Sequence, residues 1–359
     1  MRHRATVAGP GVQPASVAIC IPTYNQAHLL PRAVASAAAQ AYGGALEIWV
    51  GDDASTDETA AVLAELERTY PDLHVLRQAS NVGIPANSSA VLRQSRAELL
   101  VRLDSDDELM PGYVERLAKL MQAEPRAGYA HTQVLEIAED GRALRTLRLA
   151  RSSGFQDADT ALRASLRGYR AAANILMFRR DALERLHFYD GRPERGQDYD
   201  LAIRMADDGY GNIYVAETLA KYRVWSDRDG VRSRRKRLQL EGYRRIFDET
   251  FAAAWSRRGW DQKQLTRQRN RLAALHCASC FAKPYSRAER DELVGALRRL
   301  GNGRGVRVRV ALCKLGLAPL VERADLLPLR AKRPAKAVLA RMRRLVGSPR
   351  GPAGLQRPG

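Results

Sequence analysis

The stretch Leu99-Leu100-Val101-Arg102-Leu103 runs directly into Asp104-Ser105-Asp106-Asp107, three carboxylates within four positions at the end of an apolar run. Like charges this close repel, and burying any one of them is costly unless something compensates it. An Asp-x-Asp pair after a buried strand has a specific use: two carboxylates share a divalent cation, and the cation bridges a diphosphate. Asp104 and Asp106 form that pair, and Mg²⁺ or Mn²⁺ suits an all-oxygen set. A second acidic pair, Asp52-Asp53, follows the run Leu46–Val50 and precedes Ala54-Ser55-Thr56-Asp57. A carboxylate there can accept hydrogen bonds from a nucleobase N–H or from ribose hydroxyls, while one of Ser55, Thr56 and Asp57 caps the next helix. Tyr24, just past Val17–Ile21 and Pro22, is either a stacking face for a base or a partly buried aromatic.

These residues need a scaffold that brings strand ends together. Short apolar runs at Val17–Ile21, Leu46–Val50, Leu73–Leu76 and Leu99–Leu103 alternate with helical periodicity over His28–Gln40, from Thr56 or Asp57 to about Arg68, and over Ala86–Arg96. That alternation implies an α/β fold, a mostly parallel sheet with helices on both faces, and ligands beyond the carboxyl ends of its strands. Pro22-Thr23-Tyr24-Asn25, Asp52-Asp53 and Asp104-Ser105-Asp106 therefore belong on one rim, lining a cleft rather than the core. After Pro111 the pattern changes. Tyr113–Met121 and Asp198–Ala206 read as helices, Gly128–Ile137 as an antiparallel strand and Asn174–Phe178 as another strand. Residues 138–172 have no clear period and read as including a mobile loop.

The chain has 359 residues, 45% apolar and 28% charged, enough for a sizeable core and too apolar for wholesale disorder. No run of about 18 apolar residues suggests a spanning helix, and the opening MRHRATVAGPGVQPAS lacks the apolar segment of a secretory signal. Cys20 sits in an apolar run. Cys277 and Cys280, beside His276, lack a second ligand pair at zinc spacing and read as helix packing. With nothing arguing for an oxidising compartment, a cytoplasmic protein is expected, with possible peripheral attachment to the inner face of the cell membrane. The formal charge of +19 is uneven: residues 226–359 hold 33 basic against 11 acidic side chains. The expected organisation is a disordered lead (1–15), two halves of one α/β domain (16–110 and 111–228), a basic helical region (229–346) and a disordered tail (347–359). The basic region, including an amphipathic helix over Pro334–Val346, suits either solvated helix faces or an anionic membrane surface. Nucleic acid suits the charge alone, without a recognition motif.

PTYN (Pro22–Asn25), VGDDASTDET (Val50–Thr59), the N-V-G of Asn81–Gly83 and LDSDD (Leu103–Asp107) together resemble an inverting family 2 glycosyltransferase of the GT-A, Rossmann-like fold. Ile175–Arg180 resembles that family's acceptor-side strand, Gly196–Arg204 its G-E-D-x-D-L-x-x-R helix start, and Tyr222–Trp225 its closing Y-R-x-H. The resemblance, of the bacterial surface-polysaccharide type, covers residues 16–225. It implies a nucleotide-diphosphate-sugar donor, UDP or dTDP favoured, bound by a nucleotide-sugar-binding half (16–110), and non-processive transfer to a glycan hydroxyl on a lipid-linked polysaccharide intermediate held by an acceptor-binding half (111–228). Pro22, Thr23, Tyr24, Asn25, Asn81, Gly83 and Ser105 would line the nucleotide. Asp53 would read the base with Asp52 in support, Asp104 would face the ribose or the metal, and Asp106 would bind the metal. Asp198 would be the general base, with Asp200 the alternative, and Arg204 and Arg223 would contact diphosphate or acceptor. Departures are Ala54 for glycine, Ser88-Ser89 for Arg-Asn, Gln197 for glutamate and Trp225 for histidine. These keep open a non-catalytic nucleotide-binding or membrane scaffold protein. A nucleotidyltransferase lacks its Gly-rich loop here, and a processive synthase lacks its Q-x-x-R-W motif.

Overall fold

A computed structural model describes residues 13–189, 196–225, 235–282 and 285–326. Its centre is a sheet ordered β3-β2-β1-β4-β9-β6-β10-β5. β1 (Val17–Thr23) runs parallel to β2 (Leu46–Asp52) on one side and to β4 (Leu99–Arg102) on the other, and β3 (Leu73–Arg77) extends the parallel half beyond β2. The register sets Thr23 beside Asp52 and Cys20 beside Arg102, and Leu103 N–H continues the ladder to Cys20 O. All three strands therefore deliver their polar ends to one edge.

Side-chain alternation along β1 divides the core. Val17, Ile19 and Ile21 face α1 (Leu30–Ala38), α2 (Thr59–Thr69) and α4 (Tyr113–Ala123), packing with Val34, Leu63, Val114 and Leu117. Ala18 and Cys20 face the opposite layer with Val91 and Leu92 of α3 (Ile84–Gln94) and Leu201 and Met205 of α7 (Gln197–Asp207). These strands are buried on both faces, which is why they read as continuous apolar runs.

The second half of the sheet is mixed. β9 (Leu176–Arg179) is antiparallel to β4, and β6 (Ala127–Ile137) is antiparallel to β9 but parallel to the long β10 (Gly211–Arg223). The short β5 (Glu108–Leu109) pairs antiparallel with β10, which draws the chain just past Asp107 against the end of β10. Residues 138–172, expected to contain a mobile loop, instead carry β7 (Ala143–Leu147), β8 (Gly154–Gln156) and α5 (Ala158–Ser165). β7 and β8 borrow their order from pairing with β6 and β10, a non-local signal that periodicity cannot show.

α6 (Arg180–Arg185) follows β9 directly. Beyond the sheet, α8 (Lys236–Arg245) passes through a π-helical turn (Ile246–Phe251) into α9 (Ala252–Arg257). α10 (Gln262–Leu275), α11 (Arg287–Leu300), α12 (Arg304–Lys314) and α13 (Ala318–Leu326) complete a helical region. Its core is separate, built on Trp255, Phe251, Phe247, Leu297 and Val310, with Cys277 and Cys280 buried within it as free thiols. α7 belongs to both cores: Leu201 and Met205 pack toward the sheet, and Tyr199 and Ile203 pack into the helical cluster. The expected lead up to residue 12, the amphipathic helix Pro334–Val346 and the tail lie outside the described residues. No helix among the described residues is long and apolar enough to cross a membrane.

Trp255 tests this second core. Its ring is fully buried, edge-on to Phe251 at 5.6 Å and to Trp260 at 4.7 Å. Trp255→Ala should lower unfolding free energy by about 3–5 kcal/mol in urea titration. A loss below about 1 kcal/mol would show that this cluster contributes little to stability.

Candidate active site

The turn after β4 holds the first acidic group. Asp107 N–H donates to Asp104 O (3.0 Å), closing a tight turn that carries all three carboxylates. Asp104 Oδ1 accepts from Arg102 Nε at 3.0 Å and lies 2.9 Å from Arg102 Nη2. Asp106 Oδ2 accepts from the indole Nε1–H of Trp225 at 2.7 Å. Asp107, buried, accepts the Arg223 backbone N–H on Oδ1 at 2.8 Å and has no partner for Oδ2 among the described residues. Burial, then the charge of Asp104, raises Asp106, with the Trp225 hydrogen bond opposing. Burial, then the neighbouring Asp106 and Asp104, pushes Asp107 well above the usual carboxylate range.

The end of β10 holds this turn in place. Arg223, almost fully buried, donates Nε to Asp106 O (2.9 Å) and Nη1 to Ala138 O (2.9 Å) and Glu139 O (2.8 Å). Its Nη2 lies 3.5 Å from Glu108 Oε1. These contacts make Arg223 a clamp between the acidic turn and the end of β6; a diphosphate would have to compete with them.

The loops after β1 and β2 are tied to each other. Asn25, at φ 53°, donates its backbone N–H to Ser55 Oγ (2.9 Å) and accepts Thr56 N–H on Oδ1 (2.8 Å). Asp52 Oδ1 accepts Ser55 N–H at 3.1 Å. Asp57, not Ser55 or Thr56, accepts the first helical N–H, from Thr59 at 3.0 Å. Asp53 accepts Val82 N–H (2.7 Å) and Gly83 N–H (2.9 Å), one on each oxygen, and Asn81 Nδ2 reaches Asp53 O at 3.4 Å. Asp53 thus shapes the N-V-G turn, and any base contact would use a spare lone pair. Gly83 needs its φ of 86° to make that turn. Pro22, Thr23 and Ser105 are buried, and Thr23 Oγ1 has no partner among the described residues. Tyr24 is 42% exposed, so its ring face is open.

Asp198 comes to the same edge from α7. Its Oδ1 accepts from Arg102 Nη1 at 2.6 Å and from the Tyr189 hydroxyl at 2.8 Å. Burial raises its pKa, Arg102 opposes the rise, and the Asp104 charge adds to it. Asp200 sits elsewhere: it is buried, and accepts from Arg204 Nε (2.8 Å) and from the Thr250 hydroxyl in the π-helical turn. Arg204 also donates to Leu186 O (2.8 Å) and Phe188 O (3.1 Å), fastening the chain just before Tyr189. Asp200 and Arg204 therefore brace the fold behind Asp198, since helical spacing turns residue 200 away from the face that residue 198 occupies. Sequence reasoning passed over Arg102, Tyr189 and the Trp225 contact. Only Arg102 carried a signal, an arginine closing an otherwise apolar buried strand.

A divalent cation fits the acidic turn in a limited way. Among the described residues no group of three or more His, Cys, Asp or Glu side chains is arranged to hold one. Asp104 Oδ2 and Asp106 Oδ1 carry no hydrogen bond from another described residue, so the chain offers two carboxylate oxygens. Mg²⁺ and Mn²⁺ commonly accept that number and complete their shell from phosphate and water.

Comparison with known proteins places the chain among glycosyltransferase-like sequences and folds. Residues 18–186 match the family model for glycosyl transferase family 2. An N-acetylglucosaminyltransferase of Mesorhizobium japonicum is 31% identical over 218 residues, 57% of this chain and 50% of that protein. One of Sinorhizobium fredii is 28% identical over 260 residues, 69% of this chain and 61% of its own length. The chain thus spans half to three-fifths of these relatives. Staphylococcus aureus TarS 1-349 in complex with UDP-GlcNAc superposes with a TM-score of 0.63 at 15% identity, covering 86% of this chain and 91% of that one. A Pyrobaculum calidifontis mannosyltransferase in complex with GDP-Man and Mn²⁺ gives 0.54 at 19% identity, covering 96% and 91%. These two likenesses establish the fold.

Two substitutions probe the local physics. Ala54 holds φ 56°, a left-handed conformation that costs a non-glycine residue about 1–2 kcal/mol. After the unfolded-state entropy of glycine is subtracted, Ala54→Gly should stabilise by about 1 kcal/mol in urea titration; destabilisation would contradict the strain. For Asp107 the folded pKa lies above the unfolded value, so its favourable contribution is present at low pH and lost as pH rises through the folded pKa. Asp107→Asn keeps the acceptor for Arg223 N–H and removes the charge. Its gain in melting temperature over the parent should be larger at pH 8 than at pH 5; an equal change at both would refute the shift.

Proposed function

The match over residues 18–186 makes the chain a member of glycosyl transferase family 2, and from that premise we propose that it is an inverting transferase acting between a nucleotide-diphosphate sugar and a glycan hydroxyl. The observation that carries this is the meeting of Asp198 with the Asp104–Asp106 turn at the one edge where β1, β2 and β4 end. A UDP-linked N-acetylhexosamine is the favoured donor. The support is the name N-acetylglucosaminyltransferase on the rhizobial relatives and the UDP-GlcNAc complex of the TarS structure. The nucleotide would stack on Tyr24, with Asp52 and Asp53 accepting from the base and Thr23, Asn25, Asn81, Gly83 and Ser105 shaping its bed.

The reaction needs a general base, because the acceptor hydroxyl, which is the nucleophile, attacks poorly while it keeps its proton. Asp198 would take that proton on Oδ2 as the acceptor oxygen bonds to the anomeric carbon. The bond from that carbon to the diphosphate breaks with its electron pair, and the anomeric configuration inverts. The raised pKa of Asp198 suits a base. Asp104 and Asp106 would hold Mg²⁺ or Mn²⁺, which supplies Lewis-acid stabilisation of the departing diphosphate. The acceptor is proposed to be lipid-linked, with the chain resting on the inner membrane face through its basic region. The support is the excess of basic side chains from residue 226 onward, the exposed Val308 and Leu320 on the last two described helices, and the exposed Leu315 in the turn between them.

Calorimetric titration with UDP, dTDP and GDP, with and without Mn²⁺, tests the donor site. One nucleotide should bind in a cation-dependent way, and Asp106→Ala should abolish it; no binding by folded protein would sink the reading. With the matching sugar nucleotide, Asp198→Asn should lower kcat by about 10²–10⁴-fold with little change in nucleotide affinity. In the parent, kcat/KM should rise with pH through a midpoint above that of an ordinary aspartate.

A further inference from the structure

Arg102 closes β4 and is 4% exposed. One face of its guanidinium, Nε and Nη2, holds Asp104 Oδ1, and Nη1 holds Asp198 Oδ1. Nη1 also donates to the Tyr189 hydroxyl at 3.1 Å, and that hydroxyl donates a hydrogen bond to the same Asp198 oxygen. The Tyr189 ring lies 5.2 Å from the guanidinium carbon. Tyr189 is itself fixed: Ser89 Oγ accepts its N–H at 3.1 Å and donates to its carbonyl at 2.9 Å. Asp198 Oδ1 is thus occupied by two donors, and Oδ2 has no partner among the described residues.

A buried arginine facing one acid would be an ordinary ion pair. Here the two acids lie 94 positions apart in the chain, one in the donor-side turn and one on α7. A planar fork with fixed donor directions sets the distance between them in a way a flexible ammonium does not. Sharing one positive charge between two carboxylates also leaves Asp198 only partly compensated, which keeps it basic.

We infer that Arg102, with Tyr189, is a positioning residue: it anchors Asp198 Oδ1 to the same guanidinium that anchors Asp104, leaving Oδ2 as the oxygen that takes the acceptor proton at a set distance from the donor. The inference rests on the transferase reading above. The charged and titratable groups facing Asp198 among the described residues are Arg102 and Asp104 at the end of β4, Tyr189 after α6 and Tyr169 after α5.

The test compares the parent, Asp198→Asn, Arg102→Lys and Tyr189→Phe in the full chain. Nucleotide affinity is measured by calorimetry, and kcat, both KM values and the pH profile of kcat/KM by transfer assay. Tyr189→Phe removes one donor to Asp198 Oδ1 and keeps Arg102, so it should fold. It should lower kcat about tenfold, leave nucleotide affinity within about twofold, and move the acid limb of the profile upward by about half a pH unit or more. The upward sign follows because the lost hydrogen bond favoured the ionised carboxylate. Arg102→Lys, with the charge but not the fork, should lower kcat about 100-fold per nucleotide-binding site. Parent-like kcat per binding site and an unmoved acid limb in both variants, with Asp198→Asn inactive, would overturn the inference and leave the transferase reading intact. An Asp198→Asn variant as active as the parent would remove the inference together with the assignment of Asp198 as base, while absence of transfer and of nucleotide binding in the parent would remove the transferase reading itself.

Discussion

Acidic side chains at positions 104, 106, 107 and 198 converge on one edge of one sheet, and their mutual repulsion is the constraint that the rest of the structure answers. Two guanidiniums do most of the answering. Arg102 stands between Asp104 and Asp198, and Arg223 holds the backbone of the Asp106–Asp107 turn against the end of β6. Trp225 adds a neutral donor to Asp106. Removing one partner from such a buried network leaves an uncompensated charge, so each arginine is structural and functional at once. Compensation is incomplete, since Asp107 Oδ2 has no partner among the described residues and burial raises the pKa of Asp106, Asp107 and Asp198. Under the proposed function, that uncompensated negative charge is what a divalent cation would meet.

The second organising feature is α7. Under the proposed function this helix carries the base and would have to stay fixed relative to the donor, and it is gripped from both sides. Leu201 and Met205 key it to the sheet core, while Tyr199 and Ile203 key it to the helical region built on Phe251 and Trp255. Asp200 and Arg204 extend the grip through Thr250 and through the carbonyls of Leu186 and Phe188. The helical region therefore does more than supply basic surface, because it forms the back wall against which α7 is set. Rigid support of this kind lets a carboxylate hold its place without help from substrate.

Much of this was legible before folding. Runs such as Val17–Ile21 and Leu99–Leu103 announce strands buried on both faces, and their regular alternation with helices implies the parallel sheet. The parallel rule then gathers Thr23, Asp52 and Asp104 at one rim without further information. Less was legible where order comes from partners distant in sequence. β7 and β8 lie in residues 138–172, which have no period of their own and take their conformation from β6 and β10. Asp53 offered itself as a free acceptor, and only the fold reveals that Val82 and Gly83 claim both its oxygens. Arg223 and Arg204 looked available for a ligand for the same reason: a sequence lists donors without saying which carbonyls they will meet.

The sequence by itself determined the sheet, the rim and the inventory of acids, because strand burial, turn chemistry and charge spacing are local properties. Only the tertiary structure decided how those acids are shared. Arg102 meets Asp198 because β4, the chain after α6 and the start of α7 converge, and Trp225 meets Asp106 because β10 ends beside the turn after β4. Hydrogen bonds act over about 3 Å, whereas their partners here lie some ninety to a hundred and twenty positions apart, so the pairing exists only once the chain has closed on itself.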